Sequence, residues 1–319
     1  MIAFGCAVTD QEAYERWAAP GIERARDEAS VVLATRSEGS IFQAYNALLE
    51  LAGEHEDLEA LVLLHQDVEI VDPSFGEKVR EALADPEVAV VGSVGAVDVR
   101  SMAWWEGTVT WASFAHRYPE YGGGEIRAFG MGGDDQTPPP HARMGEVDTL
   151  DGFIMVLAPW SVRNLHFDES IGRFHGYDFD FCQQVREAGR KVITADLKVI
   201  HHHSLDLLGD AEAWTEAYTR LIQKWEGRAP QIPSFNGDWK ERAYRAEASA
   251  AAARTERVAT QWQANAREAA LRREIETMRA STSWRVTEPL RRLAQFARAR
   301  RSLLRQSRQR RLFELWLLQ

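Results

Sequence analysis

Three clusters of residues could do chemistry. An apolar run, Leu61-Val62-Leu63-Leu64, ends in His65-Gln66-Asp67-Val68-Glu69. In extended backbone the i, i+2 spacing puts Asp67 and Glu69 on one side, and ligands of open α/β sheets bind beyond the carboxyl ends of strands. Two carboxylates there suit Mg²⁺ or Mn²⁺, ions that bridge to substrate phosphates. The same pair also fits a polar strand end turning into solvent. The second cluster, Tyr177-Asp178-Phe179-Asp180-Phe181, precedes Gln183-Gln184-Val185-Arg186 and so opens a helix. Acids at a helix start are stabilised by its dipole; a carboxylate there can also act as a general base towards an attacking hydroxyl. The third is Val199-Ile200-His201-His202-His203. Neutral imidazole is a ligand for Mn²⁺-type ions, and strand alternation puts His201 and His203 on one face and His202 on the other.

Other chemistries lack their signatures. The chain has no G-x-S-x-G, H-E-x-x-H or G-x-x-x-x-G-K-[ST], and no G-x-G-x-x-G follows the first strand. Cys6 and Cys182 are too few for a disulfide framework or a cysteine metal site. Asp134-Asp135, among glycines, reads as solvated.

The elements that must position these clusters alternate. Ile2–Val8 is a strand, and Thr9-Asp10-Gln11-Glu12 fits a capping box that opens a helix. Residues 30–35 form a second strand, Ser40-Ile41-Phe42-Gln43 a second capping box, and 41–52 a helix. Strands near 61–64 and 88–91 flank a helix over 74–84. This alternation predicts a parallel sheet covered on both faces. Residues 96–147, with Trp104, Trp105 and Trp111, six glycines from 122 to 133 and prolines 138–140, read as a lid, binding loop or disordered segment. Regular structure resumes with 147–158, a helix around 177–188, strands near 192 and 199, and a helix over 211–225. After a Pro/Gly break at 227–237, Tyr244, Ala248, Ala251, Thr255, Val258 and Trp262 follow heptad spacing, and the phase then slips to Leu271, Ile275 and Met278. This predicts a long helix standing apart from the body, either a coiled coil that self-associates or a solvated stalk.

Composition narrows the class. Hydrophobic residues make up 45% and charged residues 27%, as in an ordinary globular chain. Residues 281–319 hold ten arginines and two glutamates, net +8, so the total of −10 leaves −18 on residues 1–280. A body this acidic does not suit nucleic acid. The arginine-rich tail alternates with large apolar residues from Leu293 to Leu318, which fits an anionic membrane surface or a partner enzyme. No apolar run reaches the ~20 residues of a spanning helix. The N-terminus lacks a basic n-region, so the expected location is cytoplasmic, peripheral on the inner face of the plasma membrane.

In order, Ile2–Val8, Ser40–Leu48, His65-Gln66-Asp67-Val68-Glu69, Asp148–Phe153, Gly176–Asp180 and the histidine run resemble the bacterial family 2-like glycosyltransferases of GT-A fold, over residues 1 to about 226. The resemblance implies an α/β fold with a Rossmann-like, mostly parallel central sheet flanked by helices. The domains expected are a GT-A domain at 1–226, a linker at 227–237, a long helix or coiled coil at 238–288 and a basic tail at 289–319. It implies a metal-dependent, inverting transfer of a sugar from a nucleotide-sugar donor to a hydroxyl of a glycan or lipid-linked acceptor in bacterial surface polysaccharide synthesis. Asp178 would be the base. Asp67, Glu69, His201 and His203 would hold Mn²⁺ or Mg²⁺. Thr35, Ser37, Tyr45, Asn46, Gln66 and Asp67 would contact the donor, and Trp104, Trp105 and Asp151 the acceptor. Tyr177 stands where the family usually has Glu. Ser281–Arg291 resembles the S-x-S-W-R-x-T-x-P-L-R segment of bacterial polysaccharide glycosyltransferases. The competing readings are a nucleotidyltransferase and a catalytically silent sugar- or nucleotide-binding scaffold.

Overall fold

A computed structural model of the chain describes residues 1–36, 39–109, 114–119, 124–126, 144–204, 208–228, 240–287 and 289. Ser37, Trp111, Asp134-Asp135, most of the linker and the tail from 290 onward lie outside the described residues. Residues 1–263 form one unit and 264–319 a second.

The first unit is built on β1 (Ile2–Val8), β2 (Val31–Arg36), β3 (Ala60–Leu64), β4 (Val68–Ile70), β5 (Val88–Gly92), β6 (Gly95–Val97), β7 (Thr108–Val109), β8 (Phe114–Tyr118), β9 (Gly124–Ile126), β10 (Thr149–Leu150), β11 (Ile154–Leu157), β12 (Lys191–Thr194) and β13 (Val199–His201). Its helices are α1 (Gln11–Ala13), joined by a π-helical turn to α2 (Ala19–Ala25), then α3 (Ile41–Gly53), α4 (Phe75–Ala82), α5 (Pro159–Asn164), α6 (Tyr177–Glu187) and α7 (Ala211–Trp225). Helix α8 (Lys240–Ala280) runs from the first unit into the second.

The central sheet has the order β12-β5-β11-β3-β1-β2. This is the Rossmann-like, mostly parallel sheet with flanking helices that the resemblance implies. Its apolar runs are buried on both faces: every residue of β3, β5 and β11 is buried, as a sheet covered by helices requires. One strand departs from the parallel expectation. β11 runs antiparallel to both β3 and β5, because the chain reaches it through a tight turn at Asp151-Gly152-Phe153 and not through a crossover helix. The segment read as a single loop, 96–147, contributes strands to two smaller sheets, β10-β6-β7 and β4-β13-β8-β9.

The caps follow the sequence with one shift. Ser40 caps α3, accepting from Phe42 N at 3.2 Å. At the first helix Asp10, not Thr9, is the cap, accepting from Glu12 N and Ala13 N; the Thr9 amide is engaged elsewhere.

Helix α8 does not stand apart from the body. Tyr244, Ala248, Ala251 and Thr255 are buried, and the first three belong to the main apolar core. The heptad stripe faces the chain's own first unit, so its burial needs no second helix. In the second unit Leu271, Ile275 and Met278 are exposed, and Ser281 caps the short α9 (Thr282–Val286). No described helix is long and apolar enough to cross a membrane.

Candidate active site

The strands end together at the floor of a cleft. His65, just past β3, donates its backbone N–H to Phe153 O (3.0 Å), just before β11. A tight turn follows, with Val68 N donating to His65 O (3.1 Å). Gln66 locks that turn onto the end of β1: its Oε1 accepts from Thr9 N (2.8 Å) and Asp10 N (2.7 Å). The end of β13 is tied to the same turn by His202 N donating to Asp67 O (2.8 Å). These backbone bonds bring together side chains 134 positions apart. One ligand atom from each of His65, Asp67 and His201 lies within 4.8 Å of the others, with Asp67 Oδ1 3.5 Å from His201 Nε2.

The His201 ring stacks on Phe153 (centroids 4.6 Å) and on His203 (4.9 Å). Burial holds His65 down to about 4 and His203 down to about 3, with the neighbouring His201 adding to both. Both imidazoles are therefore neutral near pH 7, with lone pairs for a cation. At Asp67 burial acts upward, but His201, His65 and His203 outweigh it and hold the carboxyl well below its usual range. The His65 and His201 imidazoles and the anionic Asp67 carboxylate form a mixed N/O donor set. It fits a transition ion such as Mn²⁺ better than Mg²⁺, which prefers oxygen ligands alone.

Glu69 is not part of this group. Its carboxylate meets His202 Nε2 at 3.1 Å and Arg24 Nη1 at 3.6 Å, and His202 itself stacks on Trp17 at 3.4 Å. The i, i+2 expectation fails because Asp67 sits in a turn, where the period-2 alternation of extended backbone does not hold. The alternation within the histidine run does hold: His201 and His203 face the cleft and His202 faces away.

Asp178 opens α6 opposite. Its Oδ2 accepts from Gly152 N (3.0 Å) and its Oδ1 from Phe179 N (2.8 Å). Burial pushes its carboxyl up to about 7, and the nearby Asp151 charge adds to the rise; Asp151 is itself raised by burial. A carboxyl raised in this way lies in the range where a general base is most efficient at neutral pH. Gly152 has to be glycine, since a Cβ would lie 2.3 Å from Tyr177 Oη. That phenol is in turn 2.6 Å from His65 Nε2. Gly176, at φ +80, lets the chain turn into α6. Asp180 has a structural place. It is 1% exposed, pairs with Lys224 (2.8 Å) and accepts from Trp225 Nε1 (2.9 Å), which fastens α7 to α6.

The cleft measures about 1470 Å³, above the roughly 300–1,000 Å³ of a single small-molecule pocket, so it has room for two substrates. Gln66, Asp67, Asp151, Asp178, His201, His203, Trp104 and Trp105 line it. Tyr45 and Asn46 do not. Tyr45 is fully buried against Phe167 and Tyr177, on the inward face of α3. Asn46 is spent on the chain: Nδ2 donates to Phe167 O (2.9 Å) and Oδ1 accepts from Phe167 N (2.8 Å). The Thr35 side chain lies outside the described residues, as Ser37 does. The sequence reading passed over His65, whose signal was its place one residue past an apolar strand and two before Asp67. It also passed over α8, which lines the cleft through Arg254, Arg257 and Trp262.

A family model described as glycosyltransferase like family matches residues 3–206. The streptomycin biosynthesis protein StrF of Streptomyces griseus is 33% identical over 211 residues, spanning 64% of this chain and 67% of that protein. Among solved structures, a mannosyltransferase from Pyrobaculum calidifontis in complex with GDP-Man and Mn²⁺ is 14% identical, with a TM-score of 0.42 over 89% of this chain and 81% of that one. GalNAc-T7 with UDP, GalNAc and Mn²⁺ is 9% identical, with a TM-score of 0.45 over 78% and 54%.

Proposed function

The chain belongs to the glycosyltransferase-like family and is a sugar-transferring enzyme; we propose that it passes a sugar from a nucleotide-sugar donor to a saccharide hydroxyl, with inversion at the anomeric carbon. One arrangement carries this reading: the His65–Asp67–His201 cluster and the Asp178 carboxylate line the same cleft.

His65, Asp67 and His201 would hold a divalent ion, which when bound neutralises charge on the departing diphosphate. His203 supports the cluster by stacking on His201. Gln66 holds Asp67 in place by fixing its turn to β1. Asp178 accepts the proton of the attacking hydroxyl. Its two backbone N–H donors fix the carboxylate's aim, and its raised affinity for protons makes it an effective acceptor near neutral pH. Trp104 and Trp105 offer ring faces to the acceptor.

For the acceptor, a hydroxyl of a surface glycan or lipid-linked saccharide is one source. The name of the Streptomyces griseus relative supports a second, a smaller saccharide of natural-product synthesis. The basic, apolar-interleaved tail favours work beside an anionic membrane surface.

The test is nucleoside diphosphate binding by calorimetry, with Mn²⁺ and with EDTA. Asp67→Ala should abolish the metal dependence. Asp178→Asn should leave nucleotide affinity intact while turnover falls ~10²–10⁴-fold, and NMR of the product should show the inverted anomer. Nucleotide affinity that ignores both EDTA and Asp67→Ala would sink the metal assignment.

A further inference from the structure

The family match ends at residue 206, yet the cleft does not end there. Its far wall is made by α8, between residues 254 and 262, together with the turn that carries Trp104 and Trp105. The two are bolted together: Arg254 donates from Nε to Glu106 Oε1 (2.6 Å) and from Nη2 to Glu106 Oε2 (3.0 Å). Trp262 lies against Tyr118 at 6.3 Å, and Trp104 meets Trp105 edge-on at 5.9 Å. Arg257, exposed on the same stretch of helix, makes no ion pair or hydrogen bond among the described residues and lines the cleft.

Topology says which substrate this wall faces. The Asp67 turn and Thr9 sit at the ends of β3 and β1, towards the β1–β2 edge of the central sheet. Asp178 comes from α6, which packs on β10 and β12 towards the other edge. The Trp104–Trp105 turn connects β6 to β7 in the β10-β6-β7 sheet, on that same side. The tryptophan turn therefore stands beside the base: a Cβ on Gly176, two residues before Asp178, would lie 3.4 Å from Sδ of Met102, two residues before Trp104. A base must stand beside the hydroxyl that it deprotonates.

We propose that residues 254–262 of α8 form the acceptor subsite with Trp104 and Trp105, and that its ligand is a saccharide. This rests on the sugar-transfer reading above. Three indoles within one wall suit the apolar C–H faces of sugar rings, and the buried Tyr118 ring backs Trp262. The Arg254–Glu106 pair supplies a donor and an acceptor to ring hydroxyls at the same place, and Arg257 adds further donors. The catalytic floor and the two tryptophans come from the family-matched residues, and the rest of the acceptor wall from a helix outside them. Changes in α8 can therefore alter the acceptor without touching the ion or the base.

The experiment uses the full chain saturated with nucleoside diphosphate and Mn²⁺. It is titrated with methyl glycosides of gluco-, galacto- and manno-configured disaccharides, followed by saturation-transfer NMR and calorimetry. At least one glycoside should bind. Trp262→Ala and Arg257→Ala should each weaken it on the order of fivefold, the loss expected for one ring or guanidinium contact, while nucleotide affinity stays unchanged. Arg257 is exposed, so that variant keeps the fold even where Trp262→Ala disturbs packing. Equal glycoside affinity in all three proteins overturns the proposal. So does tighter binding in the variants, which would make α8 a cover over the cleft, and so does a wild type that binds nucleotide but no glycoside. Failure of the wild type to bind nucleotide instead overturns the sugar-transfer reading, and the same titration without nucleotide then still decides the role of α8.

Discussion

Asp178 shows how one side chain links the fold to the chemistry. A carboxyl held at about 7 by burial and by Asp151 is protonated over much of the acid range. If it is the base, kcat/KM rises with pH along an acid limb with an apparent pKa near 7. Asp151→Asn removes the neighbouring negative charge, which lowers the Asp178 pKa and moves that limb to lower pH; a pH–rate profile of the two proteins checks this. The same shift has a thermodynamic sign. The folded state keeps a proton that the unfolded chain, with a carboxyl near ~4, has released. Asp178 therefore favours the fold below about 4, and this is lost as pH rises through 7. Asp178→Asn should then raise stability relative to wild type at pH 8 and much less at pH 4, as read by urea unfolding. A variant that is inactive yet more stable at alkaline pH is the signature of a group placed for function. Equal urea midpoints at pH 8 would mean that the carboxyl is not raised. At this scale the sequence marked Asp67, Asp178 and the histidine run, because each closes a strand or opens a helix, and Asp67, Asp178, His201 and His203 line one cleft. It did not show that Glu69 turns to His202 and Arg24, or that Tyr45 and Asn46 are taken up inside the fold. The side on which a residue emerges depends on a turn or on a helix face, and neither is encoded in the motif.

Among the elements, α7 and α3 were readable nearly to the residue, since Asp210 and Ser40 provide side-chain caps and a 3.6-residue period follows. β11 was readable as an apolar run but not in direction. An apolar strand buried on both faces has the same pattern either way, and only the tight turn before it fixes the antiparallel choice. Helix α8 was readable as a helix, and its stripe was found at the right residues. What the stripe packs against was not legible, because a heptad of Tyr, Ala and Thr serves an intramolecular groove as well as a second helix. Ala248, fully buried, tests this packing. Replacing it with Asp would bury a charge without a partner. The helix would undock locally, and hydrogen exchange over 244–255 should accelerate by orders of magnitude while β3 stays protected. Exchange equal to wild type would mean that the stripe is not held against the core in solution.

For the whole molecule, the useful question is where the catalytic unit stops. Motifs alone put its end near 226, before the Pro/Gly break, and a chain ending at Pro233 would on that view fold and work. The structure puts Tyr244, Ala248 and Ala251 in the main core and Arg254 on Glu106, so the unit runs on to 263. A chain ending at 233 would leave a groove lined by apolar side chains open to water. Removing a buried tyrosine and its neighbours costs on the order of 3 kcal/mol or more. It should therefore unfold at clearly lower urea than the full chain and bind a hydrophobic dye. A chain ending at Gln263 keeps the buried stripe and should unfold close to the full chain. The same three proteins separate stability from substrate binding. With the fold held by low temperature, the chain ending at 233 should still bind nucleoside diphosphate, since the ion cluster and Thr9 are intact, but it should lose affinity for a saccharide. Matching urea midpoints for the chains ending at 233 and 319 would show that α8 docks without contributing to the core. The boundary near 226 would then be the right one after all.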